Sequence, residues 1–207
     1  MRIACLHTAE SNVAVFETVA GQRGLSLTHM VRADLLTDAM QAGGLNAEIA
    51  ARTGDVLRDL AHGADAVLLT CSTLGPVADG MSASVPVLRV DAALARQAVR
   101  EGGTVAVLCA VETTLGPTGA LFGAAAKQTG AAIDLRLVPG AWKAVLTGRR
   151  GQWLATCAAA ADEAFAEGIK VVALAQASMA GAAALCRNGR PLTSPAAGLD
   201  AILKAPA

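Results

Sequence analysis

The chain has 207 residues, 54% of them hydrophobic but only 2% aromatic and none of them tyrosine, which suits a core of small aliphatic side chains packed between helices and a sheet. Seventeen basic residues balance seventeen acidic ones, so no strong field gathers phosphate backbones or an anionic membrane, and neither nucleic acid nor membrane is an expected partner. No apolar run reaches the ~20 residues of a membrane span, and the opening "MRIACLHTAES" turns polar too soon for a signal peptide, so a cytoplasmic location is expected.

Short β-branched runs alternate with longer helical stretches along the chain. The first half predicts strands near 3–7, 25–31, 65–70 and 85–90, and helices near 12–22, 46–62 and 91–101, with Gly24 and Gly63 as stops. The second half predicts strands near 104–109, 132–138, 170–175 and 190–193. Its helices are expected near 114–128, 151–167, 180–187 and 196–204. Parallel strands need long crossovers, so this alternation predicts an α/β fold of two Rossmann or flavodoxin-like units, residues 1–102 and 103–194, meeting near Glu101-Gly102-Gly103.

Two internal matches make the units pseudo-symmetric products of a duplication. "RIACLHTAESN" (2–12) is similar to "TVAVLCAVETT" (104–114), which pairs His7 with Cys109 and Glu10 with Glu112. "ADAVLLTCSTLGP" (64–76) is similar to "IKVVALAQASMAG" (169–181). In open parallel sheets ligands bind beyond the carboxyl ends of the strands. The repeated segments place their polar residues there: His7, Thr8, Glu10, Ser11 and Asn12; Cys71, Ser72 and Thr73; Glu112, Thr113 and Thr114; Gln176 and Ser178. With the halves facing each other, these loops are expected to converge on an active-site cleft between them. Their hydroxyls and the N–H groups at helix starts would hold a small carboxylate or a developing enolate without any net positive charge.

Five cysteines, an odd number without C-x-x-C, and three separated histidines give neither a disulfide framework nor a metal-ligand spacing, so reduced thiols and no metal are expected. No G-x-G-x-x-G follows a strand, there is no P-loop, and no lysine sits in a strand-end motif that would hold pyridoxal phosphate. No cofactor is expected.

"LLTCSTLGP" (68–76), "LAQASMAG" (174–181) and "VLCAVETTLGPT" (107–118), in that order, resemble the aspartate/glutamate racemase superfamily, which groups amino-acid and hydantoin racemases, maleate isomerases and arylmalonate decarboxylases. The resemblance spans nearly the whole chain. It implies two pseudo-symmetric α/β domains with substrate between them, a C-terminal helix (195–207) that can cross back onto the first, and an option of homodimers. It also implies cofactor-independent chemistry in which paired cysteines on opposite faces of an α-carbon take and return its proton. Cys71 carries over as the catalytic acid/base. The second cysteine's position is occupied by Ala177 with Ser178 beside it, and a serine hydroxyl is too weak an acid and base to replace a thiol of pKa ~8.5.

Three functions follow. One is a racemase or isomerase whose second acid/base is His7, Glu10, Cys109 or Glu112. Another is a single-cysteine decarboxylase of malonate-like acids. The third is a non-catalytic binder of small anions. Thr8, Ser11, Asn12, Ser72, Thr73, Thr113, Thr114, Gln176 and Ser178 are the candidate substrate contacts. Simpler roles stand beside these: helix capping for Glu10, Ser11, Asn12, Glu112, Thr113 and Thr114, core packing for Cys5, Cys109, Cys157 and Cys186, and surface or structural positions for His29 and His62.

Overall fold

The computed structural model describes residues 1–141 and 148–205. Two four-stranded sheets, all parallel and flanked by helices, make an α/β fold with two domains. By internal contacts the chain divides into Met1–Ala93 with Pro195–Ala207 as unit 1, and Leu94–Ser194 as unit 2.

Unit 1 alternates strand and helix: β1 (Ile3–His7), α1 (Ser11–Gly21), β2 (Leu27–Val31), α2 (Ala33–Gln41), α3 (Ala47–Gly63), β3 (Ala66–Leu69), a 3₁₀ turn (Gly75–Ala78) and β4 (Val87–Arg89). The strand order is β2-β1-β3-β4. β1 and β3 are buried along their whole length, as strands covered on both faces must be. Side chains alternate between faces. Ala4, Leu6, Val67 and Leu69 join the core built with Leu35 of α2 and Ile49 and Leu57 of α3, while His7 packs edge-on against Phe16 of α1. α3 starts where the Asn46 side chain accepts the Ile49 N–H at 2.9 Å, a true side-chain cap. After α1 the chain turns through Gly24 at φ 65°, a conformation that suits glycine.

α4 (Val90–Val99) carries the chain from unit 1 into unit 2, where β5 (Thr104–Cys109), a 3₁₀ turn (Glu112–Thr114), α5 (Leu115–Ala126), β6 (Ala132–Leu137), α6 (Arg150–Ala166), β7 (Val171–Leu174), a 3₁₀ stretch (Ala177–Ala184) and β8 (Leu192–Thr193) follow. The order β6-β5-β7-β8 repeats that of unit 1. The core is small and aliphatic: Ala106, Leu108, Val172 and Leu174 meet Cys157, Ala158, Ala161 and Ala164 of α6, with Trp153 and Met179 at one end. α7 (Ser194–Lys204) then returns to unit 1. Gly198 lies so close to Val90 that a β-carbon there would come within 2.6 Å of Val90 Cγ1, and Arg23 pairs with Asp200 at 2.8 Å.

Two expectations need correction. α2 was not anticipated, because its buried side consists of Leu35 and Ala39 alone. The helix expected at 180–187 is instead the 3₁₀ stretch Ala177–Ala184, where Gly181 sits against Leu154, with 3.1 Å between its would-be β-carbon and Leu154 Cδ1. No helix among the described residues is long and apolar enough to cross a membrane.

Candidate functional site

In unit 1 the chain runs from β1 out to β2 on one side and comes back to β3 on the other. The carboxyl ends of β1 and β3 therefore border a topological switch point, the place in an open α/β sheet where a crevice forms. The register pairs Leu6 with Leu69, so the residues that follow, His7 and Thr8 on one side and Thr70 and Cys71 on the other, are neighbours. Cys71 is 9% exposed, packed on its inner side against the core. Ser72 is half-buried and Thr73 exposed just beyond it. Thr8 is buried at the end of β1, and Glu10 and Ser11 are exposed at the start of α1.

The capping reading does not hold for this helix start. Glu10 occupies the cap position at φ −56° and ψ −36° without a side-chain bond to the helix, and Ser11 and Asn12 lie inside the first turn. Asn12 is buried, and its Oδ1 has no hydrogen-bond partner. A buried acceptor without a donor is uncommon in folded proteins.

The segment after Cys71 is fastened from below. Ser72 O accepts the Gly75 N–H at 3.2 Å to close a turn. Arg89, at the end of β4, donates through Nε and Nη2 to both Asp91 oxygens at 2.7 and 2.8 Å, and through Nη1 to Asp79 at 2.7 Å. A β-carbon on Gly75 would come within 2.5 Å of that guanidinium, so glycine is what lets the turn lie over Arg89.

His7 is fully buried, with both ring nitrogens engaged: Nδ1 meets Thr70 Oγ1 at 2.9 Å and Nε2 meets His29 Nδ1 at 2.9 Å. His29 Nε2 meets the Glu17 carboxylate at 2.7 Å, and Thr70 Oγ1 also lies 3.0 Å from Leu6 O. Burial, and then the neighbouring His29, lower the His7 pKa to about 4, so the ring is neutral near pH 7. Cys5, on the same face of β1, lies opposite His29 in the β1–β2 register; its thiol is pushed up to about 12 by burial and then by the Glu17 charge. The donor atoms of Cys5, His7 and His29 all lie within 4.8 Å of one another. Sequence spacing concealed this grouping, because parallel pairing aligned residues far apart in the chain.

Unit 2 repeats the arrangement with different side chains, and here the register corrects the expected counterpart of Cys71. Leu6 pairs with Leu69 in unit 1 and Leu108 with Leu174 in unit 2, so two residues beyond these partners stand Cys71 and Gln176. The position matching Cys71 is Gln176, not Ala177. The Gln176 amide is fully used: Oε1 accepts the Ala110 N–H at 2.8 Å, and Nε2 donates to Thr114 Oγ1 at 3.0 Å, which itself donates to Val111 O at 2.6 Å. Thr114 is a brace for the loop after β5, and at the head of α5 it makes no side-chain capping bond. Glu112 and Thr113 are exposed in the 3₁₀ turn after β5, and Ser178 is half-buried in the stretch after Gln176. Cys109, at the end of β5, is fully buried. All five cysteines are free, and Cys157 and Cys186 lie in the unit 2 core, where burial raises both thiols.

No protein-family model and no curated protein matches the sequence. Solved structures do match. Aspartate racemase from Picrophilus torridus superposes with a TM-score of 0.71 at 12% identity, covering 98% of this chain and 93% of that one. Allantoin racemase from Klebsiella pneumoniae gives 0.70 at 14% identity, over 98% and 86% of the two chains. Glutamate racemase from Thermus thermophilus, in complex with β-chloro-D-alanine, gives 0.58 at 17% identity, over 97% and 78%. At these identities the likeness is one of fold: the chain folds as these racemases do.

Proposed function

We propose that this chain, folded as the aspartate/glutamate racemases are, is a cofactor-independent enzyme of racemase type in which Cys71 moves a proton at the carbon alpha to a carboxylate. The observation that carries this reading is the thiol at the switch point between β1 and β3, flanked by hydroxyls and backed by a braced turn. The Cys71 thiolate takes the α-proton, and the electron pair left behind moves into the carboxylate as an enediolate. The hydroxyls of Thr8, Ser72 and Thr73 donate to that developing charge. The Cys71 thiol gives a proton back on its own face, which exchanges the α-hydrogen, and inversion uses a second acid on the opposite face, for which the exposed Glu10 at the start of α1 is the candidate in unit 1. The unpartnered Asn12 Oδ1 receives an N–H carried by the same α-carbon, which favours an amino acid or a hydantoin-like ring over a plain dicarboxylate.

A second reading is supported by Gln176. Its amide does not titrate and both its ends are committed, so the family's second thiol has no counterpart at that position. Decarboxylation needs a proton on one face only: loss of carbon dioxide leaves an enediolate that the Cys71 thiol protonates. Arylmalonate decarboxylases resemble this chain but keep their lone cysteine in the second half, so the product here would have the opposite hand.

The test is NMR in deuterated water with the chain and its Cys71→Ala variant, offering aspartate, glutamate, a hydantoin, maleate and an arylmalonate. Deuterium at the α-carbon of recovered substrate identifies the racemase, and loss of carbon dioxide with deuterated product identifies the lyase. In either case Cys71→Ala is expected to lose about 10³-fold in rate. Binding of these acids to the folded chain without exchange or decarboxylation would overturn both readings in favour of a binding protein.

A further inference from the structure

We propose that Cys5, His7 and His29 form a metal site for a soft, low-coordinate cation, and that the cation it takes is Cu(I). The donors come from one face of two adjacent strands: Cys5 and His7 are two residues apart on β1, and the register sets His29 of β2 opposite Cys5. One sulfur and two imidazole nitrogens, with every pair within 4.8 Å, are a donor set for copper or zinc and a poor one for calcium or magnesium.

The outer hydrogen bonds turn the rings the way metal-binding histidines are turned. A ligating histidine holds its other nitrogen against a carboxylate, carbonyl or hydroxyl, and here His29 Nε2 faces Glu17 at 2.7 Å while His7 Nδ1 faces Thr70 at 2.9 Å. Where His29 Nε2–H donates to the Glu17 carboxylate oxygen, the neutral ring leaves its Nδ1 bare. When the Thr70 hydroxyl spends its proton on Leu6 O, His7 Nδ1 must donate to Thr70, and His7 Nε2 is bare too. In that tautomer two bare nitrogens face each other across 2.9 Å, with the Cys5 sulfur within 4.8 Å of both, and a cation can be held between them. A metal ion separates the nitrogens to about 3.5 Å at bonds of ~2.0 Å, leaves both outer hydrogen bonds in place, and displaces the Cys5 thiol proton to solvent to gain a thiolate.

Coordination number selects among the candidates. Zinc completes a tetrahedron, but among the described residues no fourth histidine, cysteine or carboxylate joins the three. Cys5 and His7 are fully buried and the His29 side chain is 14% exposed, so the three donors are largely screened from water. Three-coordinate Cu(I) fits a closed trigonal site of this kind.

The experiment titrates the full chain with Cu(I) against a chromophoric Cu(I) chelator without oxygen, then records X-ray absorption of the copper-loaded protein. One copper per chain is expected, with two nitrogens near 2.0 Å and one sulfur near 2.3 Å. Cys5→Ala and His29→Ala should each weaken binding by about 100-fold, while Cys71→Ala keeps it unchanged. Circular dichroism checks that each variant is folded, and His29→Ala, at the less buried position, keeps the test open if Cys5→Ala fails to fold. Copper lost in Cys71→Ala but retained in Cys5→Ala, no competition with the chelator, or binding of zinc without copper would each overturn the assignment. Copper content is read without substrate, so its result is independent of the activity proposed above.

Discussion

Gln176 shows how one residue of misalignment changes a mechanistic argument. The family resemblance suggests Ala177 as the second acid/base position, but the segments at 64–76 and 169–181, aligned from their first residues, already set Gln176 opposite Cys71, and the two sheet registers agree. The expected consequence is that Gln176→Cys adds inversion of a single enantiomer, measured by chiral chromatography, whereas Ala177→Cys does not. The gain should fall short of the ~10²-fold of a well-placed acid–base group, because the substitution also releases the Ala110 N–H and Thr114 from their brace. Cys71 itself was legible, since a thiol before "STLGP" at the end of an apolar run is a local pattern. The Cys5, His7 and His29 grouping was not, because it exists only through the pairing of β1 with β2.

At the scale of the elements, strands were easier to read than turns. β1 and β5 lie where their apolar runs predict, because strands buried on both faces leave continuous hydrophobic stretches. α2 escaped because two buried side chains in nine residues make too faint a stripe. The turn that follows Cys71 depends on a contact no local pattern reveals, the passage of Gly75 over Arg89. Gly75→Ala forces the guanidinium off Asp91 and should destabilise unit 1 by about 1–3 kcal/mol in urea unfolding, together with a loss of the activity proposed for Cys71. Gly116→Ala, in α5, is the control. A β-carbon there meets nothing within 4 Å, and the change should be neutral or slightly stabilising.

Over the whole molecule the same strand order occurs twice, and the duplication legible in the sequence explains why a chain with almost no aromatic side chains builds two sheets instead of one large core. What the sequence pattern did not disclose is that the units differ in continuity. Unit 2 is a single stretch, Leu94–Ser194, whereas unit 1 needs Pro195 onward to cover Val90 and to pair Asp200 with Arg23. This difference sets a timetable for synthesis. As the chain leaves the ribosome, the first strands to appear must wait, incompletely covered, until α7 has emerged, while the later half can close on itself sooner. Trp153 packs in the core of the later half, so its fluorescence should recover in refolding before the far-ultraviolet signal is complete. A nascent chain halted just short of Pro195 would then carry one finished unit and one unfinished, and the unfinished one, though synthesised first, is where a chaperone would be expected to hold it.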